Sequence, residues 1–325
     1  MKHMRYDPTD YLYASARLRA KETGLFGETG LSLLAKCQSA DDASALLAAS
    51  GVAREDGTPN VDAMLEAWLR AALDAVRESV PDPRLVLYFE YPHDGNNLKI
   101  LEKCRLRGIS PEGRLSPLGS IPPERLRAAF DTGDDRILPP SLAAGWHEAR
   151  ERFAKSGDPC DIDLAIDRAI FAALADAAAP FPPAATLLAK RIDLANLLAF
   201  CRLAGGDEVK RALFEEAFLA GGTLPLSLFK AHLEEGCEAL AAALTDRTLA
   251  ALLPLEGHAA REKRADELLA CAAAEGARVA FGAEVPIAFL ARAELVAKNL
   301  RILVAYRTLG RSEDAIKEGL RAYDI

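Results

Sequence analysis

Carboxylates at helical spacing, histidine pairs and glycine loops are the groups with which a chain could do chemistry, and this one offers several. Asp161, Asp163 and Asp167 are spaced to line a metal site in a helical bundle, but no Glu-x-x-His partner of the kind such bundles use accompanies them. Their other reading is a capping and solvated-charge role at a helix start. Phe130-Asp131-Thr132-Gly133 has the letters of an aspartic-protease loop. That chemistry needs two such loops on strands, so that two carboxylates share a proton, and one copy between helices reads as a turn. His147-Glu148-Ala149-Arg150-Glu151 is one ligand short of the H-E-x-x-H zinc motif and reads as a solvated helix face. Gly24, Gly27 and Gly30 have no strand leading in and no Lys following, and neither G-x-x-x-x-G-K-[ST] nor G-x-S-x-G occurs. The remaining histidines, His3, His93, His232 and His258, sit in separate segments. The expectation is a chain with no catalytic residue, no metal, no cofactor and no small-molecule substrate.

The elements that carry these residues read as helices. With 325 residues, 50% hydrophobic and 27% charged, the chain can bury a substantial core and has the length of about two domains, or three small ones. Ala, Leu, Glu, Arg and Lys dominate, and these are the strongest helix formers. Leu194, Leu197, Leu198 and Cys201 fall on one helical stripe, as do Val296, Leu300, Leu303 and Val304. Ser39-x-x-Asp42 opens one helix, and Asp161 with Asp163 opens another, acid at the positive end. Only Leu85 to Tyr91 has the alternation of a strand, and a single run cannot make a sheet, so it reads as a helix start or an extended connector. The class is all-α. A net charge of −8 and 6% aromatics disfavour a nucleic-acid partner. No run approaches the ~18 apolar residues of a membrane span, no signal peptide is expected from Met1 to Asp7, and the six dispersed cysteines suit a reducing compartment.

A unit of about 100 residues recurs three times. Its marker is Asn97-Leu98, Asn196-Leu197 and Asn299-Leu300, each followed by an apolar stripe, basic residues and a closing glycine at Gly108, Gly205 and Gly310. Asp94 and Asp193 stand three residues before the first two asparagines. In the third copy Glu294 stands five before, and Ala305 with Arg307 follows where a basic residue would fall. The asparagines are 99 and 103 residues apart. A short Asp or Asn side chain suits a helix start, and glycine suits the left-handed residue that ends one. A second marker is in phase: Ile121-Pro122-Pro123 and Leu224-Pro225-Leu226 place Pro at a helix's first turn, with Gly30-Leu31-Ser32-Leu33 as a Pro-less counterpart. Ser312 to Leu320 reads as a fourth start that stops after one helix. The expected divisions are 1–112, 113–215 and 216–325, three equivalent units in one compact body of pseudo-threefold character.

With these helices, the segment Tyr11-Leu12-Tyr13-Ala14-Ser15-Ala16-Arg17-Leu18-Arg19 and the run Leu31 to Leu47 complete a pattern. It resembles the C-type subunit of V-type and A-type ATPases (ATP synthases), the counterpart of the eukaryotic d subunit, over nearly the whole chain. The resemblance implies an all-helical funnel of three similar units, acting as a non-catalytic rotor part. On that reading the D and F subunits of the central stalk seat in the funnel and the membrane proteolipid ring lies on the opposite side. The protein is then a peripheral component on the cytoplasmic face of a membrane, coupling ATP synthesis or hydrolysis to H⁺ or Na⁺ transport. Matching positions nominates Arg17, Arg19, Lys103, Arg105, Arg202, Arg301 and Arg307 to meet acidic groups of the shaft. Asn97, Asn196 and Asn299 are read as structural, as caps or inter-helix hydrogen bonds. The competing readings are a free-standing helical-repeat adaptor for another protein and a metalloenzyme built on Asp161 to Asp167.

Overall fold

The computed structural model describes residues 6–22 and 61–322, together with positions 36, 42 and 45. The Gly24 to Gly30 turn, the Leu31 to Leu34 element and the Ser39 cap lie outside the described residues. Every long element among the described residues is an α-helix. In chain order these are α1 (Leu12–Glu22), α2 (Val61–Arg77), α3 (Leu87–Arg107), α4 (Pro123–Thr132), α5 (Pro140–Ser156), α6 (Cys160–Ala178) and α7 (Pro182–Leu203). There follow α8 (Glu208–Ala217), α9 (Leu226–His232), α10 (Cys237–Ala243), α11 (Arg247–Ala250), α12 (His258–Ala274), α13 (Glu284–Thr308) and α14 (Glu313–Gly319). None of them is long and apolar enough to cross a membrane. The chain is all-α, and its contacts gather into two compact units, Asp82–Leu188 and Met1–Pro81 with Ala189–Ile325.

In the unit Asp82–Leu188, α6 packs against both α5 and α3. Small residues set the approach. A Cβ on Gly145 of α5 would lie 2.2 Å from that of Ala169, and one on Gly95 of α3 would lie 2.2 Å from Ile170 Cγ1. Ala165, Ala169, Ala173 and Ala177 are buried in a stripe along α6, so its alanine-rich composition serves close helix packing. Leu98, Leu142, Trp146 and Ile166 fill the space around it. The strand-like run ahead of Tyr91 is helical: Pro83–Val86 forms a 3₁₀ turn capped by Asp82, and α3 starts at Leu87. Leu85, Val86, Tyr88 and Phe89 are all buried, so the alternation belongs to a helix start covered on more than one side.

The other unit holds two cores. Phe200, Phe214 and Phe229 meet with ring centroids 5.5–5.8 Å apart, within an apolar cluster that also draws on Leu240, Leu252 and Leu268. Val61, Met64 and Leu65 of α2 pack with Val296, Leu300 and Leu303 of α13 and Ile316 of α14. A fully buried Phe or Leu contributes about 1.5–3 kcal/mol, so these clusters account for the short helices around them. The glycines closing the three marker helices have left-handed backbones, with φ of 63° at Gly108, 71° at Gly205 and 66° at Gly310.

The α14 segment does not begin a fourth unit, contrary to the reading of Ser312 as a fresh start. It stands where α8 stands, between a closing glycine and a residue held by the preceding asparagine, and both helices are capped alike. Asp207 accepts from Lys210 N–H, and Ser312 from Ala315 N–H.

Candidate functional site

Asn97, Asn196 and Asn299 lie in the interiors of α3, α7 and α13, at most 1% exposed, and so cap no helix start. Each grips the main chain of a single later residue. The Asn97 amide donates to the Ser116 carbonyl at 2.9 Å and accepts from the Ser116 N–H at 2.8 Å. Asn196 does the same with Leu219 at 2.8 and 2.9 Å, and Asn299 with Arg321 at 3.1 and 2.9 Å. The amide thus pairs with donor and acceptor together, fixing the segment that leaves the helix. Asp or Asn deep in a helix is disfavoured by propensity, and these tertiary bonds override it.

Asp94 and Asp193 extend the grip. Asp94 accepts from Ser120 N–H at 3.0 Å, Ser120 Oγ at 2.6 Å and Ile121 N–H at 3.2 Å. Asp193 accepts from Thr223 N–H at 3.1 Å, Thr223 Oγ1 at 2.6 Å and Leu224 N–H at 3.0 Å. Gly119 and Gly222 make room, since a Cβ would lie 2.1 Å from Asp94 Oδ1 and 2.2 Å from Asp193 Oδ1. The signal for these glycines was present in the sequence as a shared Gly-Ser/Thr-Ile/Leu-Pro string ahead of α4 and α9. Pro123 opens α4, whereas Pro225 stands just ahead of α9. Burial pushes the Asp94 carboxyl up to about 6 against the pull of the Ser120 and Ile121 hydrogen bonds, with Glu90 adding to the rise.

The basic residues singled out in the sequence divide between the two units. Lys103 and Arg105 lie on α3. Lys103 pairs with Asp163 at 2.6 Å, and Arg105 with the buried Glu102 at 2.8 Å. The other five belong to the second unit. Arg17 pairs with Glu78 at 2.9 Å and donates to Ser79, while Arg19 donates to the Val279 carbonyl. Arg202 meets Glu262 at 3.5 Å and also His258. Arg301 meets Asp62 at 3.3 Å, and Arg307 acts on Glu313 by its charge. The surface pairs of Arg17, Lys103, Arg202 and Arg301 are worth about 0–1 kcal/mol each, whereas Arg105 is held by a buried carboxylate and is not released cheaply.

The carboxylates weighed as a metal cradle go to different cations. Asp161 takes Arg152 and Ser156, Asp163 takes Lys103, and Asp167 takes Lys99. Among the described residues no group of His, Cys, Asp and Glu is placed to hold a metal ion. Asp131 and Thr132 form the last turn of α4, and Gly133, at φ 73°, is its cap. His147 pairs with Asp135 at 2.7 Å. Sequence reasoning missed Glu102, a carboxylate 0% exposed that accepts from Trp146 Nε1 at 2.6 Å and also holds Arg105 and Arg150. Its partners Trp146 and Arg150 lie 44 and 48 residues on, beyond any local pattern.

What these features define is an all-helical protein organised by a main-chain grip that recurs on three long helices. The chain matches the family of ATP synthase (C/AC39) subunits over residues 14–319, and it belongs to that family. No protein of curated function matches it.

Proposed function

We propose that the chain is the non-catalytic rotor component of a V/A-type rotary ATPase. In this role it is a socket that joins the central shaft, made of the D and F subunits, to the membrane proteolipid ring, so that ATP hydrolysis or synthesis is coupled to H⁺ or Na⁺ transport. The observation that carries the reading is family membership over residues 14–319, together with the same grip on three helices spaced about a hundred residues apart. Three units, 1–112, 113–215 and 216–325, then form a funnel of pseudo-threefold symmetry on the cytoplasmic face of the membrane. A joint of this kind needs stiffness, which buried side-chain-to-backbone bonds supply, and a broad polar lining in place of a few strong anchors.

Arg17, Lys103, Arg202, Arg301 and Arg307 supply cations for that lining by exchanging internal carboxylates for those of the shaft, Arg19 by leaving a main-chain carbonyl, and Arg105 through the donors that its bond to Glu102 leaves available. The test is co-purification with the D–F shaft, followed by ATP-driven ion transport in membranes lacking this protein. The expected result is a stable complex and restored coupling. Charge reversal at two or more of the seven sites is expected to weaken shaft binding with helicity unchanged. Undiminished binding would remove the site assignment, and a chain that neither binds the shaft nor restores transport would remove the rotor reading.

A further inference from the structure

A cavity of about 500 Å³ lies in the unit Asp82–Leu188, between the end of α3, the loop after it, and α4 and α5. Its volume falls in the ~300–1,000 Å³ range of clefts that enclose a ligand. One wall is apolar, from Leu101, Ile109, Pro111 and Phe130, and Ile109 is 43% exposed there. Three arginines, Arg105, Arg127 and Arg150, also line the cavity.

The charges do not balance. Glu102, buried beneath, is a single carboxylate shared by Arg105 and Arg150, and Trp146 Nε1 donates to it as well. Asp131 stands 3.8 Å from Arg127, a loose pair on the surface. Three cations therefore meet two anions. Arg150 spends its Nε on Glu102, and its guanidinium carbon sits 5.0 Å from the Phe130 ring centre and 4.3 Å from that of Trp146. Its two Nη groups have no carboxylate partner among the described residues. Stacking and the buried carboxylate hold this guanidinium in place before any ligand arrives, which lowers the entropy cost of binding.

We propose that this cavity docks a segment of another protein that presents a carboxylate side chain beside an apolar one. The free guanidinium donors suit a carboxylate, and the apolar wall gives the neighbouring side chain a surface to cover. A bare inorganic anion would leave that wall in contact with water. The cavity shares Arg105 with the shaft-facing set, but its ligand class follows from the lining and its test uses the chain alone, so it can fail while the rotor reading stands.

The experiment applies the full chain to an array of short peptides in which acidic and apolar positions are permuted, with inorganic phosphate as a competitor. Retained peptides are expected to carry Asp or Glu next to Leu, Ile or Phe. Replacing the acid by its amide is expected to weaken binding roughly tenfold, the size of one charge-assisted hydrogen bond. Arg127→Gln and Ile109→Ser, both at exposed positions, are expected to do the same with an unchanged far-UV circular dichroism spectrum. Retention of no peptide, indifference to the carboxylate, or full binding by both variants would overturn the proposal. Phosphate displacing the peptides at equal concentration would overturn it in favour of a simple anion site.

Discussion

The grips on α3 and α7 have two parts, and the grip on α13 has one. In the first two, an asparagine holds the residue that ends the outgoing loop, and an aspartate three positions earlier holds the Ser/Thr and Ile/Leu that lead into the next helix. In the third, position 296 is Val, fully buried among Leu65, Leu300 and Ile316, and the asparagine holds Arg321 by itself. The comparison separates two tasks. Asparagine fastens the return of the chain, and aspartate aims the helix that starts just beyond it. Where no such helix is aimed, the aspartate's place goes to the apolar core.

The most severe way to break this distinction is to install the missing acid. Val296→Asp puts a carboxylate in the α2–α13–α14 core with no donor awaiting it, and a loss of about 4 kcal/mol in urea unfolding is expected. A loss under about 1 kcal/mol would mean that the third copy retains donors for a carboxylate at that place. Next comes the space that the two-part grip requires. Gly119→Ala brings a methyl against the Asp94 carboxylate, so a cost of about 3 kcal/mol is expected, with a smaller added cost once Asp94 is already Ala. Equal costs in both backgrounds would detach the glycine from the aspartate.

The smallest effect is in pH. Asp94 ordinarily titrates near 3.8 and in the fold near 6, so the folded state holds its proton more tightly. The stability this contributes is complete below about 3.8 and is lost as pH rises through about 6. A fall on the order of 2 kcal/mol is expected between those limits, and Asp94→Asn should flatten that part of the stability curve. A curve identical in the variant would show that the three donors from Ser120 and Ile121 cancel the effect of burial.

Helical class was legible because leucine spacing and composition say the same thing all along the chain. So were the three marker helices and their closing glycines, since a left-handed helix end is a local need that a glycine announces. That Asn97, Asn196 and Asn299 are structural was legible, but the main-chain segment each one holds was not. Local rules assign short polar side chains to helix starts, and these asparagines sit mid-helix to meet backbone 19 to 23 residues away. Glu102 escaped for the same reason, with Trp146 and Arg150 brought to it only by the packing of α5. The α14 segment misled because Ser312 is a sound cap, and a cap does not say whether its helix opens a unit or finishes one.

An amide that reads only main-chain atoms is blind to the side chain it anchors. Ser116, Leu219 and Arg321 occupy the same hold, although one is a small hydroxyl, one an aliphatic and one a cation. What each of these side chains does is therefore set by its own neighbours, His93 for Ser116 and Asp266 for Arg321, while the hold beneath keeps the same dimensions.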